Sequence, residues 1–377
     1  MKVAVLSHSY LEPENRKNIL ALGAYATVRV ILPRKGPVLI FRNYKFEQSD
    51  FGRKFFMAFP LLYLSNGQYL LRSSTMGLRR FQPDVINVEY NPWSGMFFQV
   101  IVYRALFCRR AKVICTVKKN TYRQYPGWRG WMKKWLSRFC VKQVDHIIAV
   151  SAMAARLYEH KFSVPAYRIT NLYHLGVDTS LFVPEPVRKN EAERPIIIGY
   201  CGRFDVDKGI TDLIVAVRRV QDLITRSAVL RLLGDGPLTS ELEQQAYDAD
   251  WLEILPPIGN AEVAHFLQSL DIFVLPSRIL DDHQEHDAHA LMEALAVGVA
   301  TIGTRSGIIP EILNDGTGLL VSPEAPDELS VAIENLVNDH RARKTLGMRG
   351  RKKAEKEFAL DVIARRKIEI FRRVLND

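Results

Sequence analysis

The chain is short of cysteine, has no long apolar run and lacks the glycine fingerprints of the commonest nucleotide sites. Its four cysteines, Cys108, Cys115, Cys140 and Cys201, form no CxxC pair and have no histidine at zinc spacing. That excludes a disulfide framework or a zinc module and makes a reduced, cytoplasmic chain the simplest reading. The longest apolar stretch, around QVIVYRALF, is broken by Arg104, well short of the roughly 20 residues that cross a bilayer, so no transmembrane helix is expected. The opening MKVAVLSHSY turns polar after a short apolar run, which suits a first buried strand better than a secretory signal. Neither GxGxxG nor a Walker A loop occurs, so nicotinamide and P-loop readings lose their main support. Fixed short repeats, low-complexity tracts and the named nucleic-acid motifs are also missing, and nucleic acid is not an expected partner.

Charge is present in quantity, and its distribution says more than the total of +11. Residues 1–186 hold 28 Lys and Arg against 10 Asp and Glu, residues 187–340 hold 11 against 26, and residues 341–377 hold 13 against 5. Such blocks point to two domains with different partners, the first of them anionic. A length of 377 residues agrees, since one core rarely serves more than about 250 residues.

Both halves alternate short β-rich apolar runs with helical patterns, the rhythm of parallel sheets covered by helices. The clearest strands are KVAVLS, VRVILP, DVINVEY, KVICTV and HIIAVS in the first half, and IIIGYCG, VLRLLG, IFVLPS, VATIG and TGLLVS in the second. Between them VPEPVRKNEAERP combines proline with charge and has no apolar period. The expected division is therefore 1–182, a linker at 183–195, and a second α/β domain over 196–355.

Three glycine-bearing turns follow strands of the second half, where doubly wound sheets bind ligands. GYCGRFDVDKGITDLI sets Gly202, Arg203 and Lys208 at a strand-to-helix junction, within reach of an anion. In LLGDGPLTSELE, Gly234 and Gly236 let backbone approach a ligand before a helix begins. In VLPSRILDDHQEHDAHALMEALAVG a polar loop feeds a helix from His289 to Val297 that stops at Gly298. Glu285 then lies just before the helix and Glu293 more than a turn inside it, a spacing that separates two carboxylates along one ligand with the positive helix end between them. His286 and His289 read as polar filler, and Asp205-x-Asp207 as a turn with no metal role. Two cations, backbone amides and spaced carboxylates fit a ligand with phosphates at one end and hydroxyls at the other, such as a nucleotide sugar.

The succession GRFDVDKG, LLGDGP, LPS, E-x7-E and SGIIPEILNDGTGLLVSP is similar to that of retaining glycosyltransferases of the GT-B fold, of the family 4 type. The resemblance runs from about residue 145 to the C-terminus and includes Gly176, Val177, Asp178 and Phe182 near the domain junction. It implies two Rossmann-like parallel-sheet domains facing a central cleft, the first binding the acceptor, with residues 356–377 crossing back onto it. It implies that Arg203 and Lys208 hold the donor diphosphate, Glu285 the donor sugar, Glu293 the ribose, and Pro257-Ile258-Gly259 the base. A UDP-sugar donor is favoured, a GDP-sugar is the other candidate, no cofactor is required, and substitution is retaining. Asp287-Ala288 stands where members commonly have Phe-Gly, LEPENRKN where many have a glycine pair, and Lys118 where many have histidine.

On the acceptor side the candidates are Glu89 and Tyr90 in VEYNPWSG together with Lys118 and Asn120. The segment GWRGWMKKWLSRFCVKQVD spaces Trp128, Trp131, Met132, Trp135, Leu136, Phe139 and Cys140 at i, i+3, i+4 and i+7 among Arg129, Lys133, Lys134, Arg138 and Lys142. Two readings stand: tryptophans packed in the core, or an amphipathic helix on an anionic membrane. FGRKFFMAFPLLYL, including Phe56, is a second candidate for surface insertion. The function these features favour is sugar transfer to a lipid-linked saccharide, glycolipid or polysaccharide precursor, by a peripheral protein at the inner face of the membrane. A soluble acceptor, or a sugar-nucleotide epimerase on the same fold, are the alternatives.

Overall fold

The computed structural model describes residues 1–36, 46, 55–64, 69–122, 126–185, 194–221, 223–224, 227–281 and 284–377, without the side chain of Arg129. Residues 186–193 of the expected linker and 51–54 of the expected insertion lie outside the described residues. The chain forms two units, Met1–Gly176 with Leu360–Asp377, and Val177–Ala359.

The first unit holds β1 (Lys2–Leu6), β2 (Thr27–Pro33), β3 (Phe56–Phe59), β4 (Leu61–Tyr63), β5 (Tyr69–Leu71), β6 (Val85–Val88), β7 (Lys112–Val117), β8 (His146–Ala149) and β9 (Ile169–Asn171). Seven of these make a parallel sheet in the order β3-β2-β1-β6-β7-β8-β9, while β4 and β5 form an antiparallel hairpin. β1 shows why its sequence is an unbroken apolar run. Ala4 and Leu6 join the cluster on one face and Val3 and Val5 the cluster on the other, because successive side chains alternate and both faces are covered. The helix Leu360–Asn376 closes the second cluster with Ile363, Ile368, Phe371 and Val374, each buried apolar side chain contributing about 2 kcal/mol.

In the helix Gly127–Lys142, the side turned inward is Ser137, Cys140 and Val141, with Leu136 and Phe139 half-buried. Trp128, Trp131 and Trp135 are exposed, so the core reading of these tryptophans is overturned. Phe56, by contrast, is buried against Phe46 and the Arg16 guanidinium, 5.6 Å from each. It is part of the core and cannot insert into a membrane surface.

The second unit holds β10 (Ile196–Cys201), β11 (Ala228–Leu233), β12 (Leu252–Leu255), β13 (Ile272–Leu275), β14 (Ala300–Thr304) and β15 (Leu319–Val321), all parallel in the order β12-β11-β10-β13-β14-β15. In each sheet the strand order reverses beside the first strand, between β1 and β6 and between β10 and β13. Loops leaving the carboxyl ends of those strands diverge there, which opens a crevice where ligands bind.

Candidate active site

At the switch point of the second unit, β10 leads into Gly202 and Arg203 and then a short 3₁₀ turn, Val206–Lys208, while β13 leads into Ser277 and the loop that reaches Glu285. The loops are tied together: Arg278 donates its backbone N–H to the Asp207 carbonyl at 2.8 Å, and its Nε bonds Asp212 at 2.7 Å. Across this junction Lys208 Nζ donates to Glu285 Oε2 at 2.7 Å, and Ser277 Oγ donates to the same oxygen at 2.7 Å. The other oxygen accepts from the backbone of His286 and Asp287 at 3.2 and 3.4 Å. Burial alone would raise the Glu285 carboxyl, but Lys208 and Ser277 outweigh it and hold it below the usual carboxylate range. Burial likewise works against the Lys208 charge, and Glu285 outweighs that too, leaving the ammonium above its usual value. Both groups are therefore charged at neutral pH. Arg203 is 3.1 Å from Asp205 and its side chain is 49% exposed, which leaves it able to meet an incoming anion.

Glycine is what lets these loops approach one another. At Gly307, where φ is +52°, an added Cβ would sit 1.7 Å from the Glu285 carbonyl oxygen, and at Gly234, where φ is +147°, 1.9 Å from that of Gly202. Gly236 lies in the same way against the Phe204 carbonyl. The glycines thus serve loop-on-loop packing. Glu285 is held by this packing: Ile308 N–H donates to its carbonyl at 3.0 Å, and its own N–H donates to Ser306 Oγ at 3.3 Å.

Glu293 sits buried on the helix His289–Val297, with His289 Nε2 3.4 Å away. Burial, and then the Glu293 charge, push the Cys201 thiol up to about 12, which sets that carboxylate beside the end of β10. This helix has no side-chain hydrogen bond at its cap, Ala288, and begins directly after the loop that carries Glu285. Ile258 is exposed after β12, on the same carboxyl edge of the sheet. Asp205 accepts from the Val206 N–H at 2.8 Å and caps its own turn, and Asp207 lies 3.6 Å from Lys208. Among the described residues no group of three or more His, Cys, Asp or Glu is placed to hold a metal ion. Sequence reasoning gave no role to Ser277, Ser306 or Gly307, although each lies inside a motif that it used. The signal available was a small or hydroxyl residue directly after a strand.

The switch point of the first unit is built differently. The Glu89 side chain is 1% exposed and lies among Tyr10, Asn87, His174 and Lys367. Its Oε1 accepts from Tyr10 Oη at 3.2 Å and Asn87 Nδ2 at 3.1 Å, with Lys367 Nζ at 3.8 Å, and His174 Nε2 is 3.5 Å from Oε2. This carboxylate is turned into the unit, away from solvent. Tyr90 is buried with its ring 5.2 Å from His8 and 6.2 Å from Tyr69. Lys118 Nζ donates to Ser9 Oγ at 3.4 Å, and Asn120 is buried just beyond. Burial and the Lys118 charge lower His8 to about 4, so its imidazole is neutral at physiological pH. His8 and Ser9, at the end of β1, are members of this cluster that the sequence did not single out.

Residues 184–353 match the family Glycosyl transferases group 1 and residues 23–204 match Glycosyltransferase Family 4. Among proteins of similar sequence, the capsular polysaccharide biosynthesis glycosyltransferase CapM of Staphylococcus aureus is 30% identical over 174 residues, 44% of this chain and 43% of that protein. A GDP-mannose-dependent alpha-(1-6)-phosphatidylinositol monomannoside mannosyltransferase of Mycolicibacterium smegmatis is 27% identical over 237 residues, 59% of this chain and 62% of that one. The chain thus spans about two fifths to three fifths of the length of these relatives. Among solved structures, Anabaena Alr3699/HepE in complex with UDP and glucose superposes with a TM-score of 0.72 at 15% identity, over 99% of this chain and all of that one, a likeness of fold. With two doubly wound parallel sheets, the motif series along the second and both families matched in order, the chain belongs to the GT-B glycosyltransferases of the group 1, family 4 type.

Proposed function

We propose that the chain moves a sugar from a nucleotide-sugar donor, held by the second unit, to a hydroxyl of a lipid-linked saccharide, glycolipid or polysaccharide precursor, with retention at the transferred carbon. The observation that carries this reading is the 2.7 Å contact between Lys208 and the buried Glu285 at a strand switch point. A glycosyl phosphate has anionic oxygens on one side of its reacting bond and sugar hydroxyls on the other, so an adjacent cation and carboxylate match that junction. As the bond breaks, negative charge grows on the departing diphosphate, and Arg203, Lys208 and the helix amides oppose it by fixed electrostatics. Glu285, ionised and acceptor-only, takes hydrogen bonds from the sugar, and Glu293 takes them from the ribose.

A UDP-sugar is the favoured donor, supported by the fold shared with a protein that binds UDP and glucose, and a GDP-sugar is the other candidate. The acceptor is read from the carbohydrate-polymer and glycolipid roles of the relatives, and Tyr90, Lys118 and Asn120 in the first unit are the residues assigned to it. The basic first unit and its exposed tryptophans support work at the anionic inner face of a membrane, as a peripheral protein. The test is a panel of UDP- and GDP-sugars incubated with the purified protein and membrane lipid extract. One donor is expected to be consumed with a sugar-labelled lipid formed, and Arg203→Ala and Lys208→Ala each to slow transfer roughly a hundredfold or more, about 3 kcal/mol. Wild-type rates in both folded variants, or turnover of donor into an epimer with no acceptor, would overturn the assignment.

A further inference from the structure

Two segments of the first unit far apart in sequence present large apolar side chains to solvent. One is the outer side of the helix Gly127–Lys142, with Trp128, Trp131, Met132 and Trp135, of which Trp131 is 69% exposed. The other is the hairpin end, with Leu62, Tyr63 and Leu64, of which Tyr63 is 61% exposed. The amino end of the helix Gly95–Phe107 joins them. A Cβ built on Gly95 would lie 3.7 Å from Leu64 Cδ1 and 3.2 Å from Leu70 Cδ2, so the hairpin rests on this first turn. One turn on, the Phe98 ring is 6.0 Å from Phe139, which stacks on Trp135 at 5.7 Å and 11°. Leu64, Phe98, Phe139 and Trp135 thus make one apolar seam from hairpin to helix.

A row of cations runs beside that seam. Lys134, Arg138 and Lys142 repeat every four residues next to Trp131, Trp135 and Phe139 at the same spacing, and the six line a groove of about 360 Å³ with no acidic member. Around it the first unit carries 33 Lys and Arg against 11 Asp and Glu. Bare solvent gives such a surface no reason to combine exposed tryptophan with cations in register. A bilayer of anionic lipid does, because phosphates lie at the depth of the cations while aromatic rings enter the headgroup layer.

We propose that the β4–β5 hairpin and the helix Gly127–Lys142 form a two-point anchor on an anionic bilayer, the cation row taking lipid phosphates and Leu62, Tyr63, Trp128 and Trp131 inserting. This rests on the membrane reading above and goes beyond it in joining the hairpin and the helix into one anchor, with Leu62 and Tyr63 as its inserting pair, and in giving the groove a phosphate ligand. The test uses the full chain with phosphatidylcholine vesicles, with and without phosphatidylglycerol, followed by co-sedimentation and by quenching of tryptophan fluorescence with brominated lipid. Wild type is expected to bind the anionic vesicles at low salt with quenching. Leu62→Glu/Tyr63→Glu is expected to weaken binding roughly tenfold, the loss of one to two apolar insertions. Lys134→Glu/Arg138→Glu is expected to erase the preference for phosphatidylglycerol. Circular dichroism and donor turnover on a water-soluble acceptor check that the variants fold. Wild-type protein that ignores anionic vesicles would overturn the membrane reading altogether. Wild-type protein that binds while the hairpin variant binds equally well, or while the cation variant keeps its lipid preference, would overturn this inference alone.

Discussion

Each of the two sheets sets a buried glutamate beyond a strand at its switch point, Glu89 after β6 and Glu285 after β13, and the two carboxylates are held by different partners. Glu285 meets one ammonium, one hydroxyl and two backbone amides on loops that glycines bring together at the carboxyl edge of the sheet. Glu89 is enclosed by tyrosine, asparagine, histidine and lysine from strand, loop and C-terminal helix. The surfaces differ in the same sense. The first unit carries 33 Lys and Arg against 11 Asp and Glu, and the second 19 against 30. A repeated topology fixes where polar residues collect and leaves open whether they hold a ligand or hold the fold together.

The largest expected effect comes from removing the first unit's buried carboxylate. Glu89→Leu leaves the Lys367 ammonium buried without its counter-charge, and losses of about 3–5 kcal/mol are usual when a buried pair is halved. Denaturant unfolding should show that loss, with most of it recovered in Glu89→Leu/Lys367→Met. If Glu89→Leu instead keeps its stability and loses transfer, Glu89 is an acceptor contact and the contrast between the units is wrong.

Acidity separates the units next. His8 and His146, both in the first unit, are lowered from 6.5 to about 4, His8 by burial and Lys118 and His146 by burial and Arg373. A depressed pKa contributes stability that is complete above the unfolded value of 6.5 and is lost as pH falls toward 4. At about 1.4 kcal/mol per pKa unit, the enclosed His8 accounts for roughly 3 kcal/mol and His146, screened by solvent, for less. Glu285 is depressed from 4.5, so its contribution persists until pH drops below that value. The Lys208 ammonium is raised from 10.5, so its share is present below 10.5 and fades only above it. Protection from amide hydrogen exchange, corrected for the intrinsic rate at pH 5, should therefore fall in the first unit before the second; equal or reversed loss would contradict the assignment.

Much of this was legible in the sequence where a local pattern carries the information. Strands buried on both faces read as apolar runs, which is why KVICTV coincides with β7, and the helix His289–Val297 shows its ends through the polar loop before it and Gly298 after it. β12 lacks an unbroken apolar run because Glu253 interrupts it, and β4 and β5 pair as a partly exposed antiparallel hairpin outside the buried sheet. Glu89 was read as a ligand contact because its enclosure depends on Tyr10, His174 and Lys367, partners that no spacing near VEYNPW announces. The tryptophan helix has apolar residues on more than one side, and periodicity could not decide which side the sheet covers. Cys140 and Val141 take that place.

Within the second unit, Ser277 sharpens the picture at smaller scale. Its hydroxyl shares Glu285 Oε2 with Lys208, so it helps to aim the carboxylate. Ser277→Ala removes one hydrogen bond to a charged group, worth about 1.5–3 kcal/mol. Transfer should fall roughly tenfold or somewhat more through KM and kcat together, with Tm lowered by several degrees, and Ser277→Thr should restore both. A variant at the wild-type rate would show that Lys208 alone orients Glu285.

The smallest effect expected is none at all, on adding EDTA. A divalent ion between donor phosphates and protein needs carboxylates with oxygens to spare. Asp205 spends one oxygen on the Val206 N–H that closes its own turn and the other on Arg203, and Asp207 faces Lys208. The charge that a metal would supply is already present as Lys208, raised by Glu285 so that it stays protonated through neutral pH, with Arg203 beside it. Transfer by protein freed of metal should equal that of untreated protein, and Asp205→Asn should change the rate only as far as it loosens the turn. Strict dependence on added magnesium or manganese, abolished by Asp205→Asn, would reassign the two aspartates as metal ligands and would make the second unit's switch point a metal site in place of a lysine one.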